Sequence, residues 1–160
     1  MNIFFLHIDP KTCAEMHVDK HVVKMILELA QLLCSAHHLS NSEYEPPYKL
    51  THKNHPSSIW TRSSKDNYIW LVCLAKELCK EYTYRYGKTH KTETYIDDLA
   101  QNIPPLPETG FTQPLQAMPD EYKEKDSIDA YRNYYFYAKK HLHSWKKRQK
   151  PEWFDEYLDL

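Results

Sequence analysis

The chain has 160 residues, of which 41% are hydrophobic and 27% charged, and a formal net charge of −1. These values are typical of one globular domain and give no overall basic field to attract nucleic acid. With only two glycines, the chain lacks the glycine-rich motifs of dinucleotide folds, P-loop enzymes and nucleophile-elbow hydrolases.

In chain order, the sequence predicts a short N-terminal extended arm over residues 1–9. Helix one is predicted over 10–38, because Asp9 is a good N-cap and Pro10 suits the first helical position. Helix two is predicted over 57–86, with an interruption expected near Ser63–Ser64 and a C-cap at Gly87.

The second half of the chain predicts a short helix over 92–102 and then a long Pro-rich loop over 103–125. Helix three follows over 126–148, and an aromatic tail covers 149–160. We therefore expect a mainly α protein, folded as a compact single-domain bundle of three long helices.

No apolar run reaches the length of a signal peptide or a transmembrane helix, and no C-x-x-C pair is present. These features predict a cytoplasmic protein with reduced thiols and no membrane contact.

Helix one carries one polar line on an otherwise apolar surface. At about 100° per residue, the side chains on this line share one face; they are His17, His21, Lys24 and Glu28. Histidine titrates near neutral pH, and burial tunes lysine and glutamate, so the line suits the floor of an acid–base cleft. Asp19 lies at the same end and is predicted to orient a histidine or balance its charge. The alternative is a solvated stripe on a central helix.

The segment THKNHP, residues 51–56, precedes the start of helix two. The free N–H groups of a helix N-terminus suit a phosphate or carboxylate. His52, His55 and Arg62 are therefore predicted to hold phosphate, and Trp60 or Trp153 to stack on a base. A capping loop with exposed histidines is the alternative reading of this segment.

The same histidines allow a metal site, since His17 and His21 are one helical turn apart. The sequence contains no H-E-x-x-H motif, however, and lysines lie beside these positions. We therefore predict no metal and no other cofactor.

The segment 139–150 contains six Lys or Arg residues, and it is the one local patch that suits phosphate binding.

The order of these features resembles the small phage-type pyrimidine-dimer DNA glycosylases, and uncharacterised phage and large-virus proteins labelled with that family. The segment NIFFLHIDPKTCAEMH gives a comparable arm, acidic turn and His17. The segment KPEWFDEY, with Trp153, Phe154 and Tyr157, is similar to the family's Pro–aromatic segment, which touches the DNA. The resemblance is carried by the two ends of the chain, and it implies a compact α protein.

In that family, the α-amino group of a threonine exposed by removal of the initiator Met attacks the sugar carbon and forms a Schiff base. A helix-one glutamate stabilises the resulting cation. Here residue 2 is Asn, and the expected place of the glutamate holds Val23 and Lys24. Glu28 lies on the same line and is its substitute, and the terminal amine or Lys24 is the candidate nucleophile.

The sequence therefore predicts an enzyme that acts on the N-glycosidic bond of a nucleic acid or nucleotide. Its predicted catalytic residues are His17, His21, Lys24, Glu28 and Asp19, and its predicted substrate-binding residues are His52, His55, Trp60, Arg62 and Trp153. Two alternatives remain open at this point: a non-catalytic nucleotide- or protein-binding viral accessory protein, and a His-ligated metal-dependent hydrolase.

Overall fold

The computed structural model describes residues 1–158, which form seven α-helices and no β-strand. The helices are α1 (Pro10–Glu15), α2 (Asp19–His38), α3 (Pro56–Ser63), α4 (Lys65–Tyr86), α5 (Glu93–Gln101), α6 (Ser127–Ala138) and α7 (Phe154–Leu158). Short 3₁₀ helices lie at Asp120–Tyr122 and Lys140–Leu142. The predicted mainly α fold is confirmed, but these seven helices of unequal length differ from the predicted three long ones.

Helix one is interrupted between Glu15 and Asp19, so it forms α1 and α2. Val18 is extended, and its N–H donates to the Tyr135 hydroxyl at 2.8 Å instead of continuing a helix. The buried guanidinium of Arg85 donates to the carbonyls of His17 and Glu15 at 2.8 and 3.0 Å. Partners from α4 and α6 therefore satisfy the polar groups that the interruption exposes.

The predicted helix two is likewise divided, with Ser64 separating α3 from α4. Ser64 is extended, and its hydroxyl accepts a hydrogen bond from the Asn67 N–H at 3.1 Å, so it is the N-cap of α4. At the other end, Gly87 adopts the left-handed conformation with φ of 69°. Such a C-cap favours glycine because a Cβ would be strained there.

The N-terminal arm, residues 1–9, has no regular secondary structure before Pro10, but its apolar residues Ile3 to Leu6 are buried in the core. Side chains supply partners for its backbone carbonyls. Arg132 Nε donates to Leu6 O at 2.9 Å, and Trp70 Nε1 donates to Ile8 O at 2.8 Å. The arm is therefore fixed by α4 and α6 rather than by a sheet.

In the C-terminal part, α6 ends at Ala138, and residues 139–153 form the second 3₁₀ helix, turns and irregular structure. The Pro-rich segment 103–125 is irregular apart from its 3₁₀ helix, and the buried Pro104, Pro114 and Met118 attach it to the body. The predicted aromatic tail includes α7; its residues 159–160 lie outside the described residues. Within residues 1–158, no helix is long and apolar enough to cross a membrane.

Candidate functional site

His17 and His21 lie in the core and not on the floor of an open cleft. His17 Nδ1 is 2.7 Å from the Cys13 carbonyl, and His21 Nδ1 is 2.8 Å from the Tyr135 hydroxyl. Phe4 stacks on the His21 ring, with 4.3 Å between centroids. Burial lowers the pKa of His17 to about 4 and that of His21 to about 3, so both are neutral at neutral pH.

Asp19 is engaged by the neighbouring elements and not by a histidine. Its Oδ1 lies 3.0 Å from Arg85 Nη1 and accepts the Lys146 N–H at 2.8 Å. Its Oδ2 accepts from the Ser144 hydroxyl at 2.8 Å. Asp19 therefore joins the start of α2 to α4 and to the segment after α6.

The other end of the polar line forms a cluster with the chain's first residue, and we name Met1, Lys24, Glu28 and His55 the amine cluster. The α-amino group of Met1 lies 3.7 Å from Glu28 Oε1, and Lys24 Nζ lies 3.7 Å from Glu28 Oε2. The Lys24 side chain is 70% exposed, whereas that of Glu28 is 15% exposed. The Glu28 carboxylate thus lies within ion-pair distance of two amino groups, and that of Lys24 is exposed.

The arm places the Met1 amine through its apolar side chains. The Met1 side chain is only 4% exposed and packs against the core, while the residue as a whole is half-buried. The exposed part of Met1 is therefore mainly its backbone, which includes the α-amino group. The terminal amine and Lys24 are both candidate nucleophiles by sequence; the burial of Ile3 to Leu6 anchors the terminal amine beside Glu28 of α2.

The THKNHP segment reaches the amine cluster through His55. The His55 Nδ1 accepts the Ser57 N–H at 3.0 Å, so the imidazole caps α3 and carries its proton on Nε2 when neutral. Burial lowers the pKa of His55, and the positive charges of the Met1 amine and of His52 lower it further. His52 is exposed, with φ of 50°, and its Nδ1 lies 2.7 Å from the Thr51 hydroxyl.

Two buried side-chain oxygens among residues 1–158 have no hydrogen-bond partner within the protein, namely Glu28 Oε2 and Ser57 Oγ. Glu28 Oε2 nevertheless has the Lys24 ammonium group 3.7 Å away, which is an ion-pair distance and too long for a hydrogen bond.

The remaining predicted substrate-binding residues are engaged in the fold. Trp60 is buried and donates from Nε1 to Thr112 O at 3.0 Å. Trp153 is buried, and the Arg132 guanidinium lies 5.1 Å from its ring centroid. Arg62 Nη1 donates to Lys53 O at 2.9 Å. Neither tryptophan presents a free face for a base, whereas the half-buried Arg62 lines a cavity.

That cavity, of about 700 Å³, adjoins another of about 550 Å³, and both lie between the C-terminal end of α2 and the Pro-rich segment. They share Asn41, Pro105 and Leu106 as lining residues. The amine cluster lines neither cavity. Across residues 1–158, no three His, Cys, Asp or Glu side chains converge in a way that would hold a metal ion.

Comparison of the chain with protein-family models, curated proteins and solved structures finds no significant match.

Proposed function

We propose that the protein is an enzyme of the glycosylase and abasic-site lyase type, which attacks the sugar C1′ of a nucleic acid with an amine. The observation that carries this proposal is the contact of 3.7 Å between the Met1 α-amino group and Glu28 Oε1. Imine formation proceeds through cationic species, which a neighbouring carboxylate stabilises. An amine beside a carboxylate therefore suits this chemistry.

Of the two amines on Glu28, we assign the nucleophile to that of Met1, because the fold fixes its position: the Met1 side chain is only 4% exposed and packs against the core. Lys24 is 70% exposed, and its position between Glu28 and open solvent suits contact with a phosphate. The amine cluster thus provides a nucleophile, an electrostatic partner and a phosphate ligand.

In the proposed reaction, the neutral amine forms a bond to C1′ while the bond from C1′ to the base breaks. The electron pair leaves with the base, which takes up one proton. The amine nitrogen then gives up a proton, and the ring oxygen O4′ takes one up as the bond from C1′ to O4′ breaks, giving an iminium ion beside the Glu28 carboxylate. Water releases the sugar as its aldehyde, or loss of a C2′ proton expels the 3′ phosphate by β-elimination.

Positive charge on the segment after α6 supports a polyanionic substrate, because this segment contains six Lys or Arg residues. In the basic segment 139–150, Arg148 and Lys150 form ion pairs with carboxylates. The other four lysines lie over aromatic rings at 5.1 to 5.6 Å; they are Lys139, Lys140, Lys146 and Lys147. Lysines interleaved with aromatic rings suit a phosphate backbone.

Borohydride trapping tests this proposal directly. Protein whose mass shows Met1 as its first residue is incubated with a duplex oligonucleotide that contains one abasic site. We expect a covalent protein–DNA conjugate, and peptide mapping should place the modification on the Met1 amine. Glu28→Gln should lower the trapping rate on the order of 100-fold, because it removes the charge that stabilises the iminium ion.

Two matched variants make the result specific. Glu77→Gln removes a carboxylate that pairs with Lys80 on α4, and it should trap at the wild-type rate. Lys24→Gln should still form the conjugate at Met1, although with weaker DNA binding. Absence of a conjugate, or a conjugate that forms equally well in Glu28→Gln, would show that this chemistry does not occur.

A further inference from the structure

A cavity of about 480 Å³ lies between α6 and the 3₁₀ helix Asp120–Tyr122. We name it the tyrosine–glutamate cavity after its lining residues, which are Glu121, Tyr122, Glu124, Asn133 and Tyr137. Two tyrosines, two glutamates and one asparagine line this space, and no basic residue is among them. Its size is that of sites for small organic molecules.

The Glu124 side of the cavity is held rigidly. Gln116 Nε2 donates to Glu124 O at 2.6 Å, and the Glu124 N–H donates to Gln116 Oε1 at 3.1 Å. Asn133 Nδ2 donates to the Glu124 carboxylate at 3.0 Å and to Tyr122 O at 3.4 Å. The carboxylate is thus positioned before any ligand arrives, which limits the entropy lost on binding.

The rings are also held in place. Tyr122 packs on Tyr134 with 5.4 Å between ring centroids, and Tyr137 packs edge-on against Phe136 at 5.0 Å. The ring of Tyr137 already attracts an ammonium group, since Lys140 Nζ lies 5.6 Å from its centroid. Lys140 is outside the cavity lining, and a ligand cation would compete with it for the Tyr137 ring, whereas no Lys or Arg among residues 1–158 lies over the ring of Tyr122.

We propose that the tyrosine–glutamate cavity binds a small organic ammonium ion, of the polyamine or the quaternary ammonium class. Aromatic faces attract such cations through the ring quadrupole, and carboxylates add direct charge pairing. The cavity shares no lining residue with the amine cluster, so this proposal stands independently of the proposed function.

Calorimetric titration with choline and with spermidine tests the proposal and distinguishes the two classes. We expect saturable binding of one or both cations, and no binding of 3,3-dimethylbutan-1-ol, the uncharged carbon analogue of choline. Glu121→Gln and Tyr137→Leu should each weaken binding roughly tenfold, which corresponds to the loss of one ion pair or one cation–π contact. Both side chains are exposed, so these changes leave the fold intact.

Matched variants complete the experiment. Tyr137→Phe keeps the ring, and Glu156→Gln removes an exposed carboxylate on α7; both should bind like the wild type. Choline alone would indicate a quaternary ligand, and spermidine alone a polyamine. The proposal is overturned if neither cation binds at concentrations up to about 10 mM, if the uncharged analogue binds equally well, or if Glu121→Gln and Tyr137→Leu leave the affinity unchanged.

Discussion

At the scale of single residues, the polar line of the sequence divides into a buried end, at His17 and His21, and a partly exposed end, at Lys24 and Glu28. His21 lies under Phe4 and bonds to Tyr135, whereas Lys24 on the same helix is exposed. Helical spacing places side chains on one face of a helix, but it does not say what covers that face. The N-terminal arm covers the histidine end, and this contact could not be read from the sequence.

Tyr135 provides the sharpest stability test at this scale. Its hydroxyl accepts from the Val18 N–H and lies 2.8 Å from His21 Nδ1. Tyr135→Phe should reduce the free energy of unfolding by about 1–3 kcal/mol, because it leaves a buried N–H unpaired. Urea denaturation measures this loss. Tyr137→Phe is the control, since Tyr137 is 42% exposed, and its unfolding midpoint should not change.

At the scale of elements, the predicted helices one and two are each divided where other groups replace helical hydrogen bonds. Arg85 donates to a backbone carbonyl at the end of α1, and the Ser64 hydroxyl caps the start of α4. The serine pair was visible in the sequence, because serine is a preferred N-cap. The contribution of Arg85 was not, since it lies 70 residues from Glu15 in the chain.

The Ser64 cap gives a prediction for α4. Ser64→Ala should lower the free energy of unfolding by about 1 kcal/mol, because the Asn67 N–H loses its acceptor in a buried position. Ser63→Ala is the matched control, since the exposed Ser63 hydroxyl bonds only to a carbonyl of its own helix. Its effect should stay within about 0.5 kcal/mol. Equal losses in the two variants, measured by chemical denaturation, would contradict the assigned cap.

At the scale of the whole molecule, buried histidines couple stability to pH. Burial lowers the pKa of His17 and His37 to about 4 and that of His21 to about 3, from an ordinary value of 6.5. Between pH 6.5 and about 4, the unfolded chain therefore binds protons at these positions while the folded chain does not. Stability consequently rises with pH across this window and falls on acidification.

We expect the free energy of unfolding to be constant between about pH 7 and pH 8 and to fall as the pH drops from 6.5 towards 4. Each histidine contributes up to roughly 1.4 kcal/mol per pH unit. Urea denaturation at a series of pH values measures the slope. His37→Gln should make it shallower, whereas the same change at the exposed His141 should not. A flat profile in the wild type would refute the linkage.

By itself, the sequence determined the helical class, the caps at Asp9 and Gly87, the interruption near Ser63–Ser64, and the shared face of His21, Lys24 and Glu28 on α2. These features follow from local rules: periodicity, capping chemistry and the conformational freedom of glycine. Only the tertiary structure decided which end of the line is buried and which meets the Met1 amine. That outcome depends on the packing of residues 1–6 against α2, α4 and α6, a contact between distant segments that no local pattern encodes.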